Sequence, residues 1–242
     1  MSRPRQISIV YTGIRAPDTC SPEVALTHVA LLDAQPIAFD RARIAELLTG
    51  PAAVVFYSQN AARFVIESGV LDGLELGDKR FWAVGQQTAS LLAGKLGVDV
   101  CVPDKQTFEG LKEAFELAAL PPNIVAFSLR GSWRDLSALC QRRAIALTDI
   151  PVYETSASGS NDLLTILEQA SPEWIVFTSP RGVQSFAERV EHIAATWRFA
   201  AIGPSTARAL AEVGILADHI MDVPNRNRII DEIVALEQKR TP

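Results

Sequence analysis

The sequence is poor in the residues from which metal centres and nucleophilic sites are built. Three cysteines and three histidines occur in 242 residues. Cys20, Cys101 and Cys140 are far apart and odd in number. That excludes a disulfide framework and reads as reduced, buried thiols packed as small hydrophobes. His28, His192 and His219 have no ligand spacing with the cysteines or with carboxylates, so no metal site is expected. No apolar run is long enough to span a bilayer, and residues 1–12 lack a signal-peptide pattern. A cytoplasmic protein without a membrane partner is the expectation. Positive charge is also short: 23 Lys and Arg stand against 28 Asp and Glu, a net charge of −5, with no basic cluster interleaved with aromatics. Nucleic acid is therefore not an expected partner.

Known nucleotide and hydrolase motifs are missing too. No GxGxxG follows a strand, and neither GxxxxGK[ST] nor GxSxG occurs. Thr12-Gly13 is only a fragment of a flavin phosphate loop. A phospho-receiver would carry Asp where Ser58 and Ser179 stand. No cofactor is implied.

What is present is an internal repeat in a chain of ordinary globular composition, 48% hydrophobic and 21% charged. VVFYSQNAARFV (54–65) mirrors VFTSPRGVQSF (176–186), and FWAVGQQTASLL (81–92) mirrors FAAIGPSTARAL (199–210). Each unit is a short apolar run followed by a small polar turn and a helical period, which reads as strand, turn and helix. Ser58 matches Ser179, Gly85 matches Gly203, and Thr88 matches Thr206. Val102-Pro103 and Val223-Pro224 close the two copies.

Strands are expected at 7–11, within 24–32, and at 53–57, 81–84, 98–102, 124–128, 145–153, 174–177, 199–202 and about 219–223. Helices are expected at 40–48, 59–68, 86–96, 107–120, 133–143, 161–169, after Pro180 and Pro204, and at 228–239. Residues 14–23 carry two prolines and no helical period, so the first crossover is read as an irregular loop. Strands alternating with helices indicate parallel sheets. The middle block holds five strands; the C-terminal block holds three and needs the two N-terminal strands to match it. The chain is therefore read as two flavodoxin-like α/β domains, residues 1–33 with 157–242 and residues 37–152. Connecting passages lie at 33–37, where Asp33–Pro36 breaks the strand, and at 152–157, which overlaps the linker-like segment 154–160.

In such sheets the ligand crevice lies beyond the carboxyl ends of the strands. Ser58, Gln59, Asn60, Gln86, Thr88, Arg130, Thr178, Ser179, Arg181, Ser205 and Thr206 all fall there. Helix N-termini offer unpaired N–H groups to carboxylate or phosphate, and Arg suits carboxylates. Each residue also has a plainer role: Ser58 and Ser179 as N-caps, the arginines as solvated charges. Tyr153, beside the second passage, is either a packing residue or a proton donor.

IPVYET (150–155), FTSPRGVQSF (177–186) and FAAIGPSTARALAEVG (199–214), with the weaker echo at 56–64 and 81–92, closely resemble uroporphyrinogen-III synthase. The resemblance runs from about residue 53 to the C-terminus; residues 7–30 match poorly and lack the first crossover helix. It implies two α/β domains joined by a two-stranded connector. It also implies a cofactor-free enzyme that cyclises hydroxymethylbilane, a linear tetrapyrrole, with inversion of its terminal ring and loss of water. Tyr153 matches the family tyrosine that helps the hydroxyl leave, and Ser179, Ser205 and Thr206 match cleft positions. A monomer with transient contact to hydroxymethylbilane synthase is the matching expectation. A weakly catalytic relative that binds a polyanionic small molecule and a non-enzymatic interaction module remain open on the sequence.

Overall fold

The computed structural model describes residues 6–132, 134–158 and 162–240. The chain forms two compact units, one of Met1–Asp33 with Ser156–Pro242 and one of Ala34–Thr155. No helix among the described residues is long and apolar enough to cross a membrane.

The discontinuous unit holds β1 (Ile7–Tyr11), β2 (Val24–His28), β9 (Trp174–Phe177), β10 (Arg198–Ala201) and β11 (His219–Ile220). They form one sheet in the order β11-β10-β9-β1-β2, every pair parallel. Its helices are α6 (Leu163–Ala170), α7 (Pro180–Ala187), α8 (Pro204–Glu212) and α9 (Arg228–Arg240).

The middle unit holds α1 (Arg41–Leu47), β4 (Ala52–Phe56), α2 (Gln59–Ser68), β5 (Arg80–Ala83), α3 (Gln86–Leu96) and β6 (Val100–Cys101). It continues with α4 (Phe108–Leu117), β7 (Asn123–Leu129), α5 (Ser137–Arg142) and β8 (Ala146–Ala157). Its sheet order is β3-β8-β7-β4-β5-β6, where β3 is Leu32–Pro36. With β3 set aside, β6-β5-β4-β7-β8 is the order β11-β10-β9-β1-β2 in repeat-matched strands. One arrangement is built twice, and the chain enters it at different points.

Both sheets are buried on two faces, which is why their central strands read as unbroken apolar runs. In β4, Val54 and Phe56 face the cluster that includes Phe64 and Leu92, while Ala53 and Val55, with Tyr57 just beyond the strand, face the one that includes Leu111 and Phe115. In the other sheet, Ile175 and Phe177 face Phe186 and Leu210; Trp174 and Val176 face Ile229 and Ile233.

Several local expectations are corrected. Asp33–Pro36 does not end strand structure but lies in a further strand, β3, and β8 runs on through Glu154–Ala157 instead of ending in a linker. The two pair antiparallel: Ile37 N–H donates to the Val152 carbonyl (3.1 Å) and Ser158 N–H to that of Leu31 (2.9 Å). Small polar residues have weak strand preference alone, and a partner distant in sequence supplies it here. The helix read from Trp133 begins only at Ser137, and Trp133 itself lies outside the described residues. Asp135 accepts the Ser137 N–H (2.8 Å) and Ser132 Oγ that of Arg134 (3.2 Å), local bonds that compete with helix. The helix expected to reach residue 120 ends at Leu117, ahead of Pro121-Pro122. Of the helix expected at 161–169, Asn161 lies outside the described residues, and Asp162 caps α6. Cys140 is buried, but Cys20 and Cys101 are exposed.

Residues 12–23 contain no helix, in keeping with their prolines. Side chains hold this loop in its place. Arg226 grips the Asp18 carboxylate with two bonds of 2.9 Å, and Asn227 adds a third of 3.0 Å while accepting the Asp18 N–H at 2.9 Å.

Candidate active site

Ser58 follows β4 in extended backbone and caps α2, its Oγ accepting the Ala61 N–H at 3.1 Å. Gln59 and Asn60, the first turn of α2, are half-buried. Ser179 stands at the matching place in the discontinuous unit, caps α7 and accepts the Gly182 N–H at 3.1 Å. Thr178 beside it is half-buried, and Arg181 is exposed in the first turn of α7.

The second turn of each copy has a glycine cap with no side-chain bond, Gly85 before α3 and Gly203 before α8. Gln86 opens α3 with an exposed side chain, and its N–H is taken by the Gln106 side-chain oxygen at 2.9 Å. Ser205 is exposed in the first turn of α8. Thr88 and Thr206 are 6% and 1% exposed. They share the buried helix face with Ala89 and Leu92, and with Ala209 and Leu210. The helical period turns these two hydroxyls toward the sheet rather than toward solvent.

Arg130 lies just beyond β7 and already holds a carboxylate, that of Glu154, at 2.9 Å. Both side chains are about half exposed, so the pair is screened and weak.

Tyr153 owes its aim to an irregularity in β8. Ser128 pairs with Pro151 and Leu129 with Tyr153, so Val152 is an extra residue. In a regular strand Leu147 and Tyr153, six residues apart, share a face. Here Leu147 packs on the α4 and α5 side, while Val152 and Tyr153 both join the cluster beneath α2. Such bulges commonly redirect side chains at functional sites. The Tyr153 ring is 5% exposed and lies 5.7 Å from the Phe64 ring. Its hydroxyl lies 2.9 Å from Ser58 Oγ, at the turn that opens α2. Burial raises the phenol above its ordinary range, with Ser58 and then Arg134 acting the other way. Tyr153 therefore keeps its proton at neutral pH and can give one up but not take one.

The sequence reading missed several rim residues. In the discontinuous unit Thr12 Oγ1 donates to the Val176 carbonyl at 2.7 Å, and His28 Nε2 lies 2.7 Å from the Gly13 carbonyl oxygen. A Cβ on Gly13 would stand 2.6 Å from Tyr11 Cε1. Thr12-Gly13 was visible only as a fragment of a flavin phosphate loop; the repeat places it at the rim, since it follows β1 as Arg130-Gly131 follows β7. In the middle unit Tyr57, Ser132, Arg134, Asp135, Ser137 and Asp149 line a pocket of about 480 Å³ beside the point where connections leave the sheet in opposite directions. Gln106 had no local signal, because it reaches Gln86 from the loop before α4.

The rims thus offer hydroxyls, amides and helix N-termini, which suit anionic groups, and one protonated phenol. Among the described residues no group of three or more His, Cys, Asp or Glu side chains is arranged to hold a metal ion.

Comparison with known proteins agrees with this chemistry. The family model described as uroporphyrinogen-III synthase HemD matches residues 24–231. The match begins at β2, so β1 and the helix-free loop fall outside it. No curated protein sequence matches the chain. Among solved structures, uroporphyrinogen-III synthetase from Helicobacter pylori 26695 aligns with a TM-score of 0.66 at 19% identity, covering 96% of this chain and 100% of that one. A mutant uroporphyrinogen III synthase from the extremely thermophilic bacterium Thermus thermophilus aligns with a TM-score of 0.60 at 17% identity, covering 96% and 99%. At these identities the structures speak for the fold.

Proposed function

The chain belongs to the uroporphyrinogen-III synthase family, and from that premise we propose which of its residues carry the reaction. The reaction is cyclisation of hydroxymethylbilane to uroporphyrinogen III, a step of tetrapyrrole biosynthesis that releases one water. Its chemistry makes modest demands. The pyrrole nitrogen pushes out the hydroxyl of the terminal hydroxymethyl group, leaving an azafulvene. The substituted carbon of the far terminal ring attacks it and forms a spiro intermediate. That intermediate fragments and recloses with the ring reversed, and loss of a ring proton restores aromaticity. Left alone, the substrate closes without reversal, so the enzyme's main task is to hold it folded.

Tyr153 is the proton donor in this reading. The C–O bond breaks as the phenol proton passes to the departing oxygen, which leaves as water. The ring proton released at the end restores the phenol. The observation that carries the assignment is the Val152 bulge, which brings a buried, protonated phenol to the rim at Ser58. The acetate and propionate groups are read as held at the strand-to-helix turns. In the middle unit these are Ser58, Gln59, Asn60, Gln86, Thr88 and Arg130. In the discontinuous unit they are Thr178, Ser179, Arg181, Ser205 and Thr206. Those with exposed or half-buried side chains bind directly, except Ser58, whose hydroxyl is engaged by Ala61 and Tyr153 and which shapes the turn; Thr88 and Thr206, buried against the sheet, support their turns from behind. A substrate that closes unaided favours a monomeric cytoplasmic enzyme that collects it by transient contact with hydroxymethylbilane synthase.

The test is to supply freshly made hydroxymethylbilane and resolve the type I and type III isomers. Type III in excess over the uncatalysed reaction is expected. Type I alone, with tight tetrapyrrole binding, would make the chain a binding relative, and neither turnover nor binding would overturn the reading.

A further inference from the structure

Ser58 meets two groups at once, and its hydroxyl has the valences for both. A hydroxyl has one donor and two acceptor sites. One acceptor site takes the Ala61 N–H of α2 at 3.1 Å. The proton and the second acceptor site remain for the Tyr153 hydroxyl at 2.9 Å. We propose that Ser58 is the positioning residue of Tyr153, tying its phenol to the N-terminus of α2 so that the charge left after proton donation is stabilised.

The inference rests on the reading of Tyr153 as proton donor and deepens it. While the phenol is protonated, it donates to Ser58. To pass its proton to the substrate's hydroxyl, the phenol O–H turns away from Ser58, and Ser58 turns its own proton toward the phenol oxygen, which is left negative. Only the two hydroxyl rotors move. The bond becomes charge-assisted, and behind it the Ala61 N–H, bonded to Ser58 Oγ, and the positive end of a ten-residue helix polarise the Ser58 hydroxyl. Water is poorly placed to do this, since the ring is 5% exposed. When the ring proton returns at the end of the cycle, the rotors reset.

Capping alone does not require this pairing. Ser179 caps α7 in the same way, and the strand that corresponds to β8 there, β2, ends at His28, whose ring turns to the Gly13 carbonyl. The repeat therefore holds one serine that caps and one that caps and meets a phenol. The bulge that aims Tyr153 at Ser58 is an additional feature of the middle unit.

The experiment compares Ser58→Ala, Ser58→Thr and Thr107→Ala. Thr107 caps a different helix, α4, through the Gly110 N–H at 3.0 Å, so its variant reports the loss of a cap without the loss of the Ser58–Tyr153 contact. Ser58→Ala should lower kcat for type III formation about tenfold with KM within about twofold, because only charge in the transition state is lost. Ser58→Thr should restore at least half of the rate, and Thr107→Ala should keep it. The double variant Ser58→Ala with Tyr153→Phe should be no slower than Tyr153→Phe alone, since the two act as one unit. A raised KM with unchanged kcat, or losses that multiply in the double variant, would overturn the proposal.

A second readout is independent of turnover. Fluorination lowers the pKa of a phenol, and the ionisation of a fluorinated tyrosine at position 153 can be followed by fluorine NMR. Ser58 and Arg134 are the neighbours that favour its ionised form, so Ser58→Ala should raise the midpoint and Thr107→Ala should not. If the wild type forms no type III isomer, the family reaction fails for this chain and the titration still decides the coupling. An unmoved midpoint in Ser58→Ala overturns it.

Discussion

A phenol serves as a proton donor only if it holds its proton until the substrate needs it, and burial secures that for Tyr153. The substrate's own pyrrole supplies most of the push, so the acid has less to contribute than the 10²–10⁴-fold usual for such groups. Tyr153→Phe should therefore reduce type III formation about tenfold and leave a measurable remainder. An unchanged rate in an isomer-resolved assay would remove Tyr153 from the mechanism. Gly13 makes a prediction about packing rather than chemistry. Its missing side chain leaves room for Tyr11, which is 1% exposed and cannot retreat. Gly13→Ala forces a methyl to within 2.6 Å of that ring. Overpacking of this kind costs roughly 1–3 kcal/mol, which should lower the Tm by several degrees in a calorimetric scan. A Tm within a degree of wild type would show that Tyr11 can move after all.

At the scale of elements, much was legible in the sequence, and the exceptions share a cause. Strands such as β4 and β9 are apolar on both faces and bounded by turn residues, so period and punctuation marked them. Ser58 and Ser179 were readable as caps, and each accepts an N–H from the first turn of its helix. What escaped depends on partners far away in the chain. β3 and the end of β8 are strands because they pair with each other, and neither has the composition to announce it. The Val152 bulge could not be read because register is a property of two strands. The candidate site divides the same way: the turn residues were visible, but the contact of Tyr153 with Ser58 and that of Gln106 with Gln86 were not. The loop 12–23 yields a pH prediction. The Asp18 carboxyl is held below the usual carboxylate range, first by the Asn227 amide and then by the Arg226 guanidinium. Its folded pKa is depressed, so its stabilisation is complete above the ordinary value of about 3.9 and is lost as pH falls through the lower folded value. Amide exchange in residues 12–23 should accelerate across that acid window, and Asp18→Asn should show fast exchange already at neutral pH. Equal protection in wild type and variant would mean that the loop is held by something else.

For the whole molecule, the decisive fact is that each buried cluster draws on one unit alone. The two clusters of the middle unit are built from residues 44–153, and the two of the discontinuous unit from residues 9–31 and 163–234. Each unit therefore has its own source of stability, but the chain enters them differently. The middle unit is continuous in sequence. Residues 32–157 contain every strand of its sheet and should fold alone, with Trp82, 8% exposed in the full chain, showing a buried emission spectrum. The discontinuous unit has no such fragment. In the order β11-β10-β9-β1-β2, the strand β1 lies inside the sheet, between β9 and β2. Ile9 and Val10 are fully buried, and Tyr11 nearly so. Residues 158–242 alone would lose β1 and β2, leave β9 as an open edge and expose the apolar faces that Ile9, Val10 and Tyr11 cover. That fragment should show little native structure by circular dichroism. It should gain helix and tertiary signals when a peptide of residues 1–31 is added, because the peptide restores β1 and β2. Cooperative folding of residues 158–242 without the peptide would show that β1 is dispensable to the core, and the sheet order would no longer explain how this unit is held together.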